Sequence, residues 1–387
     1  METVAQRDCA DGKLPADFDL VVIGGGPAGT SAAITAARGG ARVLLLERGK
    51  LPRQRVCGEF VSAESLDLLA GLLGDTSTAL LDEALRIPEA RLFFDGHSIT
   101  TQVNPSAASI ARFDLDAALW RAAEAAGVIG KLQTTVERIT GNGPFQIFTS
   151  TGEFHGRTVI NATGRWSNLR NQSSDADRDS ATRDGNAKWV GLKAHFAEPS
   201  PLLSVDLYFF DGGYCGVQPV VLAGTSSSEG RVNACAMVRS DVARSLADVF
   251  AQHAQLKARA QTWQTLMEPV STSPLIFCEP EPVAGAILMA GDAAGFVDPF
   301  VGDGISLALR SGALAAECLA SFFKGRFPLA EAALQYGNSY RQRLLPVFRN
   351  SSRIRRLLSL PRPVRRTVGH LLETTPSVSR LLVRLTR

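Results

Sequence analysis

The stretch DLVVIGGGPAGTSAAITAARGGARVLLLER, from Asp19 to Arg48, limits the possible folds of this chain more than any other segment. Its opening DLVVI is short, apolar and β-branched, as in a strand buried on both faces, and PAGTSAAITAAR reads as an alanine-rich helix stopped by the pair Gly39 and Gly40. Between them Gly24, Gly26 and Gly29 stand at G-x-G-x-x-G spacing. At such a turn the first glycine permits the tight bend, the second lets backbone N–H groups approach a pyrophosphate, and the third lets helix and strand pack closely. The helix N-terminus adds partial positive charge at the same point. A second apolar run, ARVLLLER, ends with Glu47 where an acid can accept from ribose hydroxyls. These features agree on an ADP-containing dinucleotide, and the spacing alone does not separate FAD from NAD.

A chain of 387 residues has room for two intimately packed domains. With 45% hydrophobic and 20% charged residues it is not a disordered chain, and it contains no apolar run of about 18 residues that would cross a membrane. The N-terminal METVAQRDCADGKLPAD lacks the apolar core of an export signal, so a cytoplasmic location is expected. The six cysteines, Cys9, Cys57, Cys215, Cys235, Cys278 and Cys318, form no CxxC pair; reduced thiols and no metal site are expected. Charge is unevenly spread, with twelve arginines and one acid, Glu373, from Arg341 to Arg387. That segment carries +11, so with a net charge of +3 the rest of the chain carries −8. Two readings of the basic tail stand open: a helical subdomain packed by its leucines, and a peripheral membrane contact facing anionic lipid. Nucleic acid is not an expected partner, because the tail lacks aromatic platforms.

Two distant segments carry a family resemblance. VINATGR (Val159 to Arg165) is a strand entering a small-residue turn, and AILMAGDAAGFVDPFVGDGISLALRSGALAAECLA (Ala286 to Ala320) is a strand, a Gly-Asp turn and a long helix. With ARFDLDAAL, in which Asp114 and Leu115 open a helix, they make the chain resemble the FAD-dependent oxidoreductases of the aromatic-hydroxylase (p-hydroxybenzoate hydroxylase) and geranylgeranyl-reductase type. The resemblance implies an α/β fold: a Rossmann-like FAD-binding domain interwoven with a β-sheet substrate domain, followed by a C-terminal helical tail. It implies FAD held by Gly24, Gly26, Pro27, Ala28, Gly29, Glu47, Arg48, Arg112, Gly164, Gly291, Asp292, Pro299, Gly302, Gly304 and Ile305. Asp292 would meet ribityl or ribose hydroxyls, or else only cap the next helix. The turn from Pro299 to Gly304 would lie beside the flavin ring. Arg112 would neighbour the cofactor, with a surface salt bridge as the plainer alternative.

The expected FAD-binding domain is discontinuous, over 17–90, 105–170 and 280–325; the substrate domain takes 91–104 and 185–279, and the basic helical region 326–387. The runs ARLFFDGHSITTQV and PFQIFTSTGEFHGRTVI read as hairpins, and SDVARSLADVFAQHAQLKARAQTWQTLM as helix.

Neither a Ser-His-Asp nor an HExxH signature occurs, and the histidines are dispersed, so the flavin is expected to carry the chemistry. RVCGEFVS and GGYCGVQPV resemble the Cys-Gly and Gly-Tyr segments of geranylgeranyl-type reductases. On that basis Cys57, Glu59 and Tyr214 are candidate catalytic residues, and Tyr214, Cys215, Pro219 and Phe300 candidate lining of a substrate pocket. Each has a plainer reading: a buried thiol for Cys57, a surface carboxylate for Glu59, core packing for Tyr214 and Phe300. If burial raises its pKa, Glu59 would serve as a general acid. The Asp of the hydroxylases' Asp-Gly motif is replaced here by Thr163 before Gly164, so the electron donor stays open between NAD(P)H and a partner reductase. The leading expectation is a monooxygenase or dehydrogenase acting on a hydrophobic, polyketide-like aromatic or isoprenoid molecule. A geranylgeranyl-type ene reductase is the alternative, ahead of a halogenase or a non-catalytic electron carrier.

Overall fold

The computed structural model describes residues 17–76, 78–165, 188–223, 230–272, 274–275, 277–296 and 302–350. They form two sheets. The first is built on β1 (Phe18–Ile23), which pairs in parallel with β2 (Val43–Leu46) on one side and β9 (Gly152–Asn161) on the other. Beyond β2 lies β6 (Ile129–Lys131), and beyond β9 lies β17 (Ile287–Met289), onto which β16 (Val283–Ala284) folds back. An antiparallel ribbon of β7 (Val136–Gly141) and β8 (Phe145–Thr149) joins the start of β9. Leu20, Val21, Val22 and Leu44 are fully buried, which explains why these strands read as unbroken apolar runs: parallel strands are covered on both faces.

Helix α1 (Pro27–Arg38) packs against α7 (Gly304–Phe323) at very close range. A Cβ on Gly312 would lie 2.0 Å from the Ala28 carbonyl oxygen, so only glycine fits that crossing. α7 is long and apolar enough to span a membrane, yet about two thirds of it is buried inside the protein, as in a core helix. α4 (Arg112–Ala125) lies beside α1, and α2 (Leu66–Leu73) with the short α3 (Thr78–Asp82) extends this layer. α8 (Leu329–Arg343) packs on α7, and its buried Tyr336 donates to the Met289 carbonyl at 2.7 Å.

The second sheet runs in the order β14 (Gln264–Thr265), β10 (Trp189–Ala197), β13 (Arg231–Arg239), β12 (Gly213–Pro219), β11 (Ser204–Phe210), β4 (Leu85–Phe94), β5 (His97–Ser109), β3 (Phe60–Val61), and β15 (Val270–Thr272) pairs with another part of β10. Its two faces have opposite characters. Leu192, Ala194, Cys215, Val217, Ala234 and Ala236 point to one side, into an apolar core shared with α5 (Leu246–Ala251) and α6 (Ala254–Ala260). On the other side, alternation and register place Lys193, His195, Tyr214, Gln218, Asn233 and Cys235.

The interwoven α/β architecture expected from the sequence is present, with changes at its seams. The hairpin at Asp95 and Gly96, whose φ values of 48° and 91° suit a tight turn, belongs whole to the second sheet, so 85–90 and 105–109 pair there and not with the first sheet. The helical stretch after β13 is two short helices rather than one, because α6 starts afresh after His253. Of the C-terminal region, α8 is a described helix, and the arginine-rich segment from 351 onward lies outside the described residues.

Candidate flavin site

The carboxyl ends of β1, β9 and β17 lie side by side, with Ile23 beside Asn161 and Asn161 beside Met289, so the loops that follow them meet at one edge of the first sheet. A ligand crevice is expected at such an edge. Gly24 has a φ of 111°, and a Cβ there would stand 2.3 Å from the Ala162 carbonyl oxygen; one on Gly29 would stand 1.8 Å from the Gly24 carbonyl oxygen. Gly26 differs, with nothing within 4 Å of its would-be Cβ. Two glycines of the motif are therefore required by packing, and the third leaves open space at the N-terminus of α1, where Pro27 and Ala28 form the buried first turn.

The Glu47 carboxylate is fixed from several sides. Oε2 accepts from the Gly25 N–H at 2.9 Å, while Oε1 accepts from the Gly49 N–H at 2.8 Å and from Arg53 at 2.6 Å. Its neighbour Arg48 is exposed. In the loop after β17, Gly291 has a φ of 61° and a would-be Cβ 2.9 Å from Ala28, which sets the turn directly against α1. The adjoining Asp292 is approached by Arg165 Nε at 3.4 Å, and the Arg165 guanidinium lies 4.3 Å from the centre of the Phe296 ring. Burial pushes the Asp292 carboxyl above its ordinary value, against the pull of Arg165 and then of Arg112.

Gly26, Gly58, Gly164 and Gly304 come from four separate segments, and each has open space where a side chain would be. Cofactor backbone contacts need such gaps. Gly302, with a φ of 78°, packs instead against the Phe60 ring, and Ile305 is buried in the first core. Pro299 and Phe300 lie outside the described residues.

Cys57, Gly58 and Glu59 cross from this crevice to the polar face of the second sheet. The Cys57 sulfur accepts from the Glu59 N–H at 3.3 Å, and the Arg112 guanidinium acts on it electrostatically. Arg112 is also paired with Asp116 through Nε and Nη2, at 2.9 and 2.8 Å. Burial works against its charge, but Asp116 and Cys57 outweigh that and hold its proton more tightly than usual. The Cys57 and Gly58 carbonyls accept from Asn233 Nδ2 at 3.0 and 2.9 Å, and the Glu59 carbonyl accepts from Gln218 Nε2 at 3.0 Å.

Glu59 itself has a φ of 62° and a fully buried side chain. Its Oε1 accepts from Lys193 Nζ at 2.5 Å and from the Arg112 N–H at 2.9 Å; Oε2 meets His195 Nε2 at 2.8 Å. Lys193 and His195 are fully buried as well. Burial pushes the Glu59 carboxyl up, and the His195 hydrogen bond together with the Lys193 charge more than reverse this, leaving it below the ordinary glutamate value.

A family model described as "FAD binding domain" matches residues 17–347. The chain belongs to this FAD-binding family. It is 25% identical over 344 residues to menaquinone reductase of Mycobacterium tuberculosis, covering 83% of this chain and 81% of the relative. To digeranylgeranylglycerophospholipid reductase 2 of Methanopyrus kandleri it is 27% identical over 327 residues, covering 79% and 77%. The solved structure of the flavin-dependent brominase Bmp2 superposes with a TM-score of 0.72 at 19% identity, covering 95% of this chain and 93% of the other. FAD is thus the cofactor, and the residues present fit it: open Gly26 at the α1 N-terminus would leave room for the pyrophosphate, with Glu47 toward the ribose and Asp292 toward polyol hydroxyls.

In this flavoprotein three sequence-based expectations need correction. Glu59 is neither a surface carboxylate nor a general acid of raised pKa: it is enclosed, and its partners hold it ionised. Cys215 and Pro219 alternate with Tyr214, Gly216 and Gln218 along β12, so they take the opposite face; Cys215 lies in the apolar core against the helices, where burial pushes its thiol up to about 12. Tyr214 is on the cleft face, buried among Phe94, Phe209, Met237, Leu275 and Phe296, with its ring 5.7 Å from that of Phe209. Lys193, His195, Gln218 and Asn233 were missed by sequence reasoning. A signal for the first two exists in WVGLKAHFA, an apolar strand that places Lys193 and His195 two apart on one face.

Proposed function

We propose that this flavoprotein is a reductase that saturates a carbon–carbon double bond in an isoprenoid lipid, with Cys57 as the proton donor. Reduced FAD would supply the electron pair and one hydrogen for such a reaction. The observation that carries the reading is the setting of the Cys57 sulfur, which accepts from the Glu59 N–H at the open Gly58 edge of the crevice, with the Arg112 charge acting on it. When the thiol gives its proton to an alkene carbon, the S–H bond breaks and a C–H bond forms. The electron pair left on sulfur then faces the Glu59 N–H and the Arg112 charge, and the thiolate regains its proton from water.

The apolar cluster around Tyr214 and Phe296, which Arg165 links to Asp292, supplies a dry flank for a hydrocarbon chain. Half-buried Trp189 and Phe277 add aromatic surface to it, their rings 6.4 Å apart. Two of the relatives are named for reductions of menaquinone and of digeranylgeranylglycerophospholipid, both isoprenoid lipids. A lipid substrate also gives the +11 tail a purpose, as a contact with the anionic membrane surface where such a substrate resides. A monooxygenase would use the same dry flank, and one experiment separates the two. The reduced enzyme is mixed anaerobically with polyprenyl compounds, then with oxygen, and the products are identified by mass spectrometry. A product heavier by two hydrogens, formed without oxygen, is expected; an oxygenated product formed only with oxygen would overturn the reading. Cys57→Ser is expected to keep its yellow colour and lose saturation by about a hundredfold.

A further inference from the structure

We infer that Glu59 is the positioning residue for Cys57, and that its buried pairing with Lys193 and His195 holds the Cys57 sulfur against the Glu59 N–H. This rests on the reading above that Cys57 is the reacting thiol. Glu59 bonds on both sides of the turn: its own backbone N–H donates to the Cys57 sulfur, and its carboxylate accepts from the backbone N–H of Arg112. One residue thus ties the Cys-Gly turn to the first residue of α4.

Glu59 sits at a φ of 62°, which is unfavourable for a non-glycine residue and needs the surroundings to impose it, and this angle relates the anchored side chain to the peptide plane whose N–H meets the sulfur. Lys193 and His195 provide that constraint from β10, and Gln54 takes a further bond from Lys193 Nζ at 3.1 Å. Asn233 and Gln218 hold the turn's carbonyls from β13 and β12. A glutamate spent only on stability would be a costly choice, because a buried ion pair often contributes no more than apolar packing of the same volume. Its position between the thiol and the arginine gives it a specific task.

The test reads Cys57 itself, without substrate. The full-length protein, with and without FAD, is treated with iodoacetamide near pH 7, and the alkylation rate of Cys57 is followed by mass spectrometry in wild type and Glu59→Gln. Loss of the charged anchor frees the turn, and Cys57 is expected to alkylate about tenfold more slowly, since the thiolate is the nucleophile. Turnover on a polyprenyl substrate is expected to fall in kcat with KM little changed. Should Glu59→Gln fail to fold because Lys193 is left unpaired, the uncharged double variant Glu59→Gln with Lys193→Met replaces it and is expected to show the same slow alkylation. A folded variant that alkylates Cys57 at the wild-type rate would overturn the inference. Retention of alkene saturation by Cys57→Ser would instead sink the proposed function, while the alkylation comparison would still report whether Glu59 holds the thiol.

Discussion

The two halves of the flavin crevice are specified in different ways. The side formed by Gly24 to Gly29, Glu47 and the Gly291 turn is written as short local motifs, in which Gly24, Gly29 and Gly291 each pack against a close neighbour and Gly26 is left open. The side formed by Cys57, Glu59, Lys193, His195, Gln218 and Asn233 is encoded by side chains that meet across more than a hundred residues of chain: Glu59 and His195 are 136 positions apart. The first half carries the glycine turns of an FAD-binding family, and the second carries the side chains on which the proposed chemistry rests. Local backbone rules fix the shared part, and tertiary packing fixes the individual part.

The sharpest break of this comparison separates packing glycines from binding glycines within one motif. Gly29→Ala puts a methyl group 1.8 Å from the Gly24 carbonyl oxygen, so β1 and α1 must part; destabilisation of about 3 kcal/mol or more is expected, with loss of FAD and a lowered Tm in calorimetry. Gly26→Ala meets nothing within 4 Å. Only about 1 kcal/mol of helix-capping preference is at stake there, yet FAD affinity is expected to drop on the order of a hundredfold as the methyl fills the phosphate position. Equal loss of stability in both variants would mean that Gly26 is a packing glycine too.

That distinction marks how far the sequence could be read. The strand, turn and helix from Asp19 to Arg48, the Gly-Asp turn and the Cys-Gly segment were legible because each is a run of neighbours with one physical meaning. The seam of the domains was not: the β4 and β5 hairpin was recognised, but nothing local says which sheet takes it. Cys215 was misplaced because alternation along β12 cannot be phased without its partners β11 and β13. Glu59 was misjudged through one premise, that burial alone sets its pKa; Lys193 and His195 reverse the sign from another part of the chain.

A second prediction sharpens the comparison through pH. Because Glu59 is depressed in the folded protein, its contribution to stability is present above the ordinary glutamate pKa of about 4.3 and is lost as pH falls through the lower folded value. Asp114 and Asp292 act with the opposite sign, since burial raises both, so a single stability curve mixes the contributions. The difference between wild type and Glu59→Gln isolates one of them. Urea unfolding is expected to find the wild type more stable at neutral pH, with the gap closing as the pH is lowered into the acid range. A gap independent of pH would show that the carboxylate gains nothing from Lys193 and His195.

The smallest effect tests the two faces of a single strand. Cys215 and Tyr214 are adjacent in sequence, yet Cys215 packs against the helices that cover one side of the second sheet while Tyr214 joins the cluster of Phe94, Phe209 and Phe296 on the other. Cys215→Ala removes one buried sulfur from a packed core, so a loss of about 1 kcal/mol is expected, visible as a shift of a few degrees or less in Tm. FAD affinity and turnover should stay at wild-type values, because no atom facing the crevice changes. Tyr214→Phe, one position away, keeps the ring in its cluster and removes only the hydroxyl, so any effect it has on turnover belongs to the cleft face. If Cys215→Ala altered turnover more than Tyr214→Phe, the phase of β12 would be the reverse of the one described, and the substrate flank would have to be sought on the side of α5 and α6.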